Sequence, residues 1–147
     1  MRNRRTLKLA LPLAAALASC AGGHDALTSL RYSVDEFHDG FRWGAMGSML
    51  PHLAEADRAA FPAWYEAMIG DVEIADYEVH RVRLDDDRNG ADVWVRLAWI
   101  GRSDMVVREA TIRERWVWSR PQWYRAEATL ERGDLPGFGA PAPAGVR

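Results

Sequence analysis

The hydrophobic period of this chain changes once, at Val72, and that change restricts the fold more than any other feature. Before Val72, apolar residues recur at intervals of three and four, the spacing that lays one stripe along a helix: Leu27, Leu30, Val34, Phe37 and Phe41. After Val72, apolar residues alternate with polar ones, in the period of a β-strand. The sequence therefore predicts helices first and a sheet second.

A second helical region is predicted between residues 49 and 69. Pro51 lies near its start and Pro62 lies inside it. Proline lacks an N–H and its ring clashes with the preceding turn, so Pro62 is expected to split this region into two pieces. Gly70 is a suitable stop for the second piece.

Four strands follow from the alternation after Val72. The first covers residues 72–84, and its alternation changes phase twice, which is what β-bulges produce, so a long bent strand is expected. The other three are predicted over residues 91–99, 105–118 and 123–130, with turns between them. Two or three helices followed by an antiparallel meander of four strands define an α+β fold with the helices on one face of the sheet.

The turn from Asp85 to Gly90 also fits the opening Asp-x-Asp-x-Asn-Gly of a calcium-binding loop. Such a loop needs a glutamate at its twelfth position, which is Arg96 here, and flanking helices where this chain predicts strands. We therefore predict a hairpin turn with Asn89 and Gly90 in left-handed positions, and no metal or other cofactor. The histidines are too scattered for a metal set, and His52 with Glu55 is predicted on a solvated helix face.

The helix around Phe37 to Trp43, the bent strand over residues 72–84, and the closing Arg115-Trp116-Val117-Trp118 with Trp123-Tyr124-Arg125 resemble the nuclear transport factor two-like superfamily. This is the cone-shaped fold shared with ketosteroid isomerases and polyketide cyclases, and the resemblance covers about residues 27–130. It implies N-terminal helices packed on a curved antiparallel four-stranded meander sheet, with a pocket between the first helix and the concave face.

Enzymes of that superfamily place a carboxylate base and a tyrosine or acid donor in the pocket. The groups available here for such roles are Tyr32, Asp35, His38, Asp104 and Glu114. None matches a catalytic member residue by residue, so no catalytic residue is assigned. A shared fold alone does not deliver a function.

The N-terminus carries an export signal. Residues 1–8 hold four basic residues and no acid, and an apolar run of about a dozen residues follows, too short to span a bilayer. At the end of this run, Leu17-Ala18-Ser19-Cys20 resembles the lipobox of bacterial lipoproteins. The resemblance implies cleavage between Ser19 and Cys20, lipidation of the Cys20 thiol, and, because no Asp follows the cysteine, sorting to the outer membrane. An ordinary signal peptide with an incidental cysteine is the alternative.

These signals divide the chain into four parts. They are a signal peptide over residues 1–19, a lipidated cysteine and tether over 20–26, a single domain over 27–131, and a disordered Pro/Gly/Ala-rich tail over 132–147.

Without the leader, 128 residues remain with 15 arginines against 21 acids, a net charge of −6. That charge argues against nucleic-acid binding, which requires a basic surface. Because Cys20 is the only cysteine, packing must stabilise the domain, and seven tryptophans are available for it.

The charges are uneven along the chain. The helical half is acidic, while the sheet carries most of the arginines. We expect an acidic helical layer that forms salt bridges with an Arg-rich sheet. The alternative is an Arg-lined site for an anionic ligand.

Trp94 and Trp99 have opposite parity in one strand, so one of them is expected to be partly exposed beside Arg96 or Arg113. The residues predicted to line a pocket or an interface are Tyr32, Phe37, Trp43, Trp94, Arg96, Trp99, Arg113 and Trp116.

The sequence thus predicts a lipid-anchored envelope protein, facing the periplasm at the outer membrane, with a non-catalytic binding or assembly domain. Its expected partners are a second copy on the sheet face, an envelope protein, or a small apolar or anionic ligand. A small isomerase or cyclase-like enzyme is the alternative.

Overall fold

The structure, a computed structural model, describes residues 25–138. The predicted leader with Ser19 and Cys20, and the last part of the predicted tail, lie outside the described residues. The helical elements are α1 (Ala26–Trp43), α2 (Met46–Met49), a 3₁₀ turn (Leu50–His52), α3 (Glu55–Arg58) and α4 (Phe61–Asp71). The strands are β1 (Val72–Leu84), β2 (Gly90–Gly101), β3 (Val107–Ser119) and β4 (Gln122–Gly133). Within this range, none of the helices has both the length and the apolar character that a membrane crossing needs.

The strands form one antiparallel sheet in the order β1-β2-β3-β4, and the helices pack on it. The predicted α+β meander is therefore confirmed. The two phase changes in the first strand are confirmed as well, because β1 shifts register against β2 between Ile74 and Asp76 and again between Val79 and Arg81. Each shift leaves one extra residue in β1, which bends the strand and increases its twist.

Helix α1 is held at both ends by local chemistry. The Asp25 side chain accepts a hydrogen bond from the Thr28 amide, and Gly44 ends the helix with a left-handed φ of 71°. The buried stripe begins at Ala26 and continues through Leu30, because Leu27 is 38% exposed. The predicted stripe was thus wrong at its first residue only.

The predicted helical region is divided near Pro62, as expected, because α3 ends at Arg58 and α4 begins at Phe61, one residue before this proline. Pro62 itself lies in the first turn of α4, where backbone N–H groups have no intrahelical partner, so its missing N–H costs no hydrogen bond.

The Asp85–Gly90 hairpin turn was placed correctly, but its left-handed residue is Arg88, with φ 58°. The Asn89 amide binds Asp87 Oδ1 and Gly90 already belongs to β2, so the turn is longer than the two-residue turn expected.

The domain extends beyond residue 131, where the sequence predicted that disorder begins. Strand β4 continues to Gly133, and Leu135 is fully buried. Two tryptophans hold the segment that follows, because Trp99 Nε1 donates to the Asp134 carbonyl at 2.7 Å and Trp64 Nε1 donates to the Gly137 carbonyl at 3.1 Å. The Pro/Gly-rich composition of this segment predicts disorder. In the structure, however, Leu135 packs in the core, and the carbonyls of Asp134 and Gly137 accept hydrogen bonds.

We predict that Leu135→Ala lowers the free energy of unfolding by about 2–4 kcal/mol, because it removes a fully buried leucine and leaves a cavity. Chemical denaturation measures this change. The control is Leu27→Ala, which truncates a partly exposed leucine at the other end of the described chain and should cost much less. Equal and small losses in both variants would show that the segment after β4 does not belong to the core.

Candidate functional site

The interior of the cone, where the fold predicts a pocket, is filled by aromatic side chains. Phe37 and Phe41 of α1 are fully buried, as are Trp116 and Trp123 of the sheet. Phe37 meets Trp116 edge to face at 6.0 Å between ring centroids and stacks on Phe41 at 6.2 Å. These rings occupy the space between α1 and the concave face of the sheet.

One carboxylate lies among these rings. Glu114 of β3 is fully buried, and its Oε2 is 3.1 Å from His38 Nε2 and accepts a hydrogen bond from Trp116 Nε1 at 2.9 Å. Its Oε1 accepts from Arg125 Nη1 at 3.1 Å. Arg125 also lies 4.4 Å from the centre of the Phe37 ring, a cation–π contact. The His38–Glu114–Arg125 network ties α1 to β3 and β4 across the core.

Burial raises the pKa of Glu114, but the charge and hydrogen bond of His38, the Arg125 guanidinium and the Trp116 N–H lower that pKa more, to about 2. The carboxylate is therefore ionised, and three donors occupy its two oxygens. A general base needs a free lone pair and a pKa near the working pH. The pKa of Glu114 lies far below such a pH, and its hydrogen bonds join α1 to β3 and β4, so we assign it a structural role. His38 Nδ1 is buried and has no hydrogen-bond partner, so His38 reaches the network through Nε2 alone.

A groove of about 710 Å³ opens beside the filled cone, between α1 and β1. This α1–β1 groove has an apolar floor of Leu30, Val34, Val79 and Val82, and charged or polar walls. Its volume lies within the range of small-molecule ligand pockets. The lining residues of the walls are Arg31, Asp35, Asp39, Arg42, Asp76, Tyr77, His80 and Arg81.

Asp35, Asp39 and Tyr77 form the polar centre of this groove. The Tyr77 hydroxyl donates to Asp39 Oδ1 at 2.9 Å. Burial, that hydrogen bond and the charge of Asp39 raise the pKa of Tyr77 far above its usual value, so the hydroxyl stays protonated. Burial and the charge of Asp39, one helical turn away, also raise the pKa of Asp35. Arg42 does not relieve this pair of carboxylates, because its guanidinium binds Asp76 at 3.0 Å.

A second pocket, of about 600 Å³, lies between the start of α1 and the β3–β4 turn. Tyr32, which is 72% exposed, and Trp118 line it. His52 lies at its base and is buried, 2.9 Å from Glu36 Oε2 and 3.2 Å from the Trp123 carbonyl. The predicted solvated helix face for His52 was therefore wrong, since the 3₁₀ turn directs this histidine towards the sheet.

The outer face of the sheet lacks the exposed tryptophan that parity predicted. Trp94 does point outward, but it is only 9% exposed. Arg81 and Arg83 lie over its ring at 4.5 and 5.8 Å, and its Nε1 donates to Glu131. Parity sets the direction of a side chain but cannot show which long neighbours cover it.

The arginines of the sheet do not form the predicted bridges to an acidic helical layer. On the described part of the sheet, most of them bind acids of the sheet itself or of its turns, as in the pairs Arg83–Asp92, Arg96–Glu78, Arg113–Glu131 and Arg115–Asp85. Arginines already neutralised in this way make a poor anion site. No group of three or more His, Cys, Asp or Glu residues between 25 and 138 is arranged to hold a metal ion.

The structure separates the other predicted site residues. Phe37, Trp99 and Trp116 belong to the core, while Arg96 and Arg113 lie on the outer face. Trp43 is 71% exposed at the end of α1. Of the five groups considered for catalysis, only His38 and Glu114 meet. Asp104, in the β2–β3 turn, instead binds Arg108, and the hydrogen bonds from the Arg108 guanidinium and the Val106 amide lower the pKa of Asp104 to about 2.

Sequence comparison finds no matching protein-family profile and no matching curated protein. Comparison with solved structures finds similar folds. One is a ketosteroid isomerase-like protein from Erwinia carotovora atroseptica, with TM-score 0.57, 14% identity, and coverage of 71% of this chain and 94% of that one. Another is a protein of unknown function with a cystatin-like fold from Nostoc punctiforme, with TM-score 0.56, 13% identity, and coverage of 75% and 93%.

A third similar structure is a SEC-C motif containing protein from Rhodopseudomonas palustris, with TM-score 0.55, 10% identity, and coverage of 65% of this chain and 73% of that one. At these identities the likeness concerns the fold alone. The fold of this chain is the cone-shaped α+β fold of the nuclear transport factor two-like class, as the sequence predicted. Its distinguishing features are an aromatic-filled cone and an open groove beside it.

Proposed function

We propose that this chain is a lipid-anchored protein of the bacterial cell envelope whose domain binds a ligand or partner in the α1–β1 groove. The filled cone is the observation that supports binding over catalysis. Phe37 and Trp116 occupy the usual place of a reactive pocket, and Glu114, the carboxylate among them, is fully hydrogen-bonded. The α1–β1 groove remains open and offers apolar and polar surface together.

The lipid anchor rests on the Leu17-Ala18-Ser19-Cys20 pattern. Cys20 precedes Asp25, the cap of α1, by five residues, which reach at most about 18 Å when fully extended. Asp25 lines the same pocket as Pro121 and Gln122 of the β3–β4 turn. A lipid on Cys20 would therefore lie near this end of the sheet, and we propose that a periplasmic partner approaches the α1–β1 groove from the side of the domain.

An enzyme of the isomerase or cyclase type is the second candidate function. It is favoured by the placement of Asp35 in the same groove as Tyr77, whose hydroxyl donates to Asp39, and burial raises the pKa of both Asp35 and Tyr77. The enzymatic function would be established if the protein turned over an enolisable ketone and the Asp35→Asn variant did not. Assembly of two copies through the sheet face also stays a prediction, and sedimentation of the purified protein tests it.

The binding function predicts that Val82→Trp, which fills the floor of the α1–β1 groove, removes at least about nine-tenths of the co-purifying ligand or crosslinked partner. Native mass spectrometry of the lipidated protein, extracted gently from its own membrane, measures the loss. The matched control is Val117→Trp, which adds the same bulk at a partly exposed valine of β3. Equal occupancy in both variants would exclude the groove as the binding site.

A further inference from the structure

Strand β1 forms one edge of the sheet, so half of its backbone N–H and C=O groups face away from β2. Within the described residues, the backbone between Asp76 and Val82 makes no hydrogen bond to any element other than β2. This free edge borders the α1–β1 groove. An unpaired edge beside an apolar groove is the arrangement that accepts an added strand.

The two bulges restrict what can be added. Ala75 and His80 are the extra residues at the two register shifts, and the ladder between them is regular only from Asp76 to Val79. A bulge interrupts the alternation that a pairing strand requires. The edge therefore accepts a segment of about four paired residues and resists open-ended pairing with other sheets.

The charges of the groove also restrict which polypeptide segment can bind there. Asp35 and Asp39 lie one turn apart on α1, and like charges at this spacing repel each other. Two of the groove's arginines are occupied elsewhere, because Arg42 binds Asp76 and Arg81 lies over the Trp94 ring on the outer face, while Arg31 offsets only part of the charge of Asp35. Within the described residues, the charges of His38 and Arg31 act on the Asp35 carboxylate, but neither group forms a hydrogen bond or a close ion pair with it. A cation between the two aspartates would relieve the repulsion.

We infer that the α1–β1 groove binds a short extended polypeptide segment that pairs with β1 from Asp76 to Val79 and places a lysine or arginine beside Asp35 and Asp39. Its inward side chains on either side of the basic residue rest on Val79 and Val82, the part of the apolar floor that β1 contributes. This inference depends on the proposed binding function and names the class of partner. The net negative charge of the domain favours the same kind of partner.

The test uses the lipidated protein in detergent micelles and the labelled heptapeptide Thr-Val-Thr-Lys-Thr-Val-Thr as the probe. Fluorescence anisotropy gives the affinity, and hydrogen exchange locates the contact. We expect the heptapeptide to bind and to slow exchange of the amides of residues 76–79. Replacing its lysine with glutamate, or N-methylating its pairing amides, should each weaken binding at least about tenfold.

The protein variant that matters is Asp35→Asn combined with Asp39→Asn, which should weaken heptapeptide binding at least about tenfold. Its control is Asp57→Asn combined with Glu66→Gln, which removes two exposed charges from α3 and α4 and should leave the affinity unchanged. The inference is overturned if the heptapeptide does not bind at about 1 mM, if exchange slows elsewhere, or if both double variants bind alike. A protein that loses its native ligand on Val82→Trp but ignores the heptapeptide keeps the proposed function and overturns this inference alone.

Discussion

Replacing Glu114 with alanine is expected to lower the free energy of unfolding by about 3–5 kcal/mol, the largest stability effect that the structure predicts. The loss arises because His38 and Arg125 stay in the core without their shared partner, and Trp116 Nε1 loses its acceptor. An unpaired buried charge costs far more than the removed contact itself. Denaturation of wild type and variant by urea measures the difference.

Two further variants separate the network from ordinary packing. Glu127→Ala removes an exposed carboxylate from the neighbouring strand and should change stability by no more than about 0.5 kcal/mol. The double variant Glu114→Leu with Arg125→Leu removes both charges and should be more stable than the Glu114→Leu variant. A Glu114→Ala variant as stable as Glu127→Ala would refute the network.

The same network predicts a dependence of stability on pH. The pKa of Glu114 is lower in the folded state than in the unfolded state, so the ionised carboxylate stabilises the fold above its unfolded value of about 4.5. This contribution is lost as the pH falls towards the folded value of about 2. A Glu114→Gln variant cannot titrate there, so its stability should fall less steeply than that of wild type over this interval. Parallel curves would contradict the assigned shift.

Replacing Cys20 with serine is expected to abolish acylation and to move the protein from the membrane to the soluble fraction. A serine hydroxyl does not substitute for the thiol in this modification. Each buried methylene contributes about 0.8 kcal/mol, so two or three acyl chains hold a domain firmly and their loss releases it. Metabolic labelling with an alkyne fatty acid, followed by membrane fractionation, measures both effects.

Two other variants sharpen this test. Ser19→Ala keeps a small residue before the cysteine and should leave lipidation intact, while Ala21→Asp should retain the protein at the inner membrane. Acyl labelling of the Cys20→Ser variant would show that the lipobox interpretation is wrong. Cleavage of the leader without labelling of wild type would identify an ordinary signal peptide.

The fold could be predicted from the sequence because its signals are local. The change of period at Val72 separated helices from strands, and the phase changes within residues 72–84 corresponded to real bulges at Ala75 and His80. The same alternation places Glu114 on the apolar side of β3, between Ile112 and Trp116. A carboxylate on the buried parity of a strand is the signal that could have identified the network.

The site was harder to predict because it depends on contacts between distant segments. His38 and Glu114 are 76 residues apart, and no spacing in the sequence shows that they meet. The cover of Trp94 by arginines of the neighbouring strand depends in the same way on tertiary packing, as does the burial of Leu135 within a Pro/Gly-rich segment. The α1–β1 groove is open because α1 and β1 do not pack closely against each other there. Only a structure shows this.

The central claim is that the cone is filled and that binding takes place beside it. A crystal of the protein under xenon pressure tests it most directly, because xenon enters dry apolar cavities that side chains leave empty. We expect no xenon between Phe37, Phe41 and Trp116. A xenon atom within that aromatic cluster would reveal a cavity in the cone, contradict the filled interior, and make the enzyme the leading candidate function.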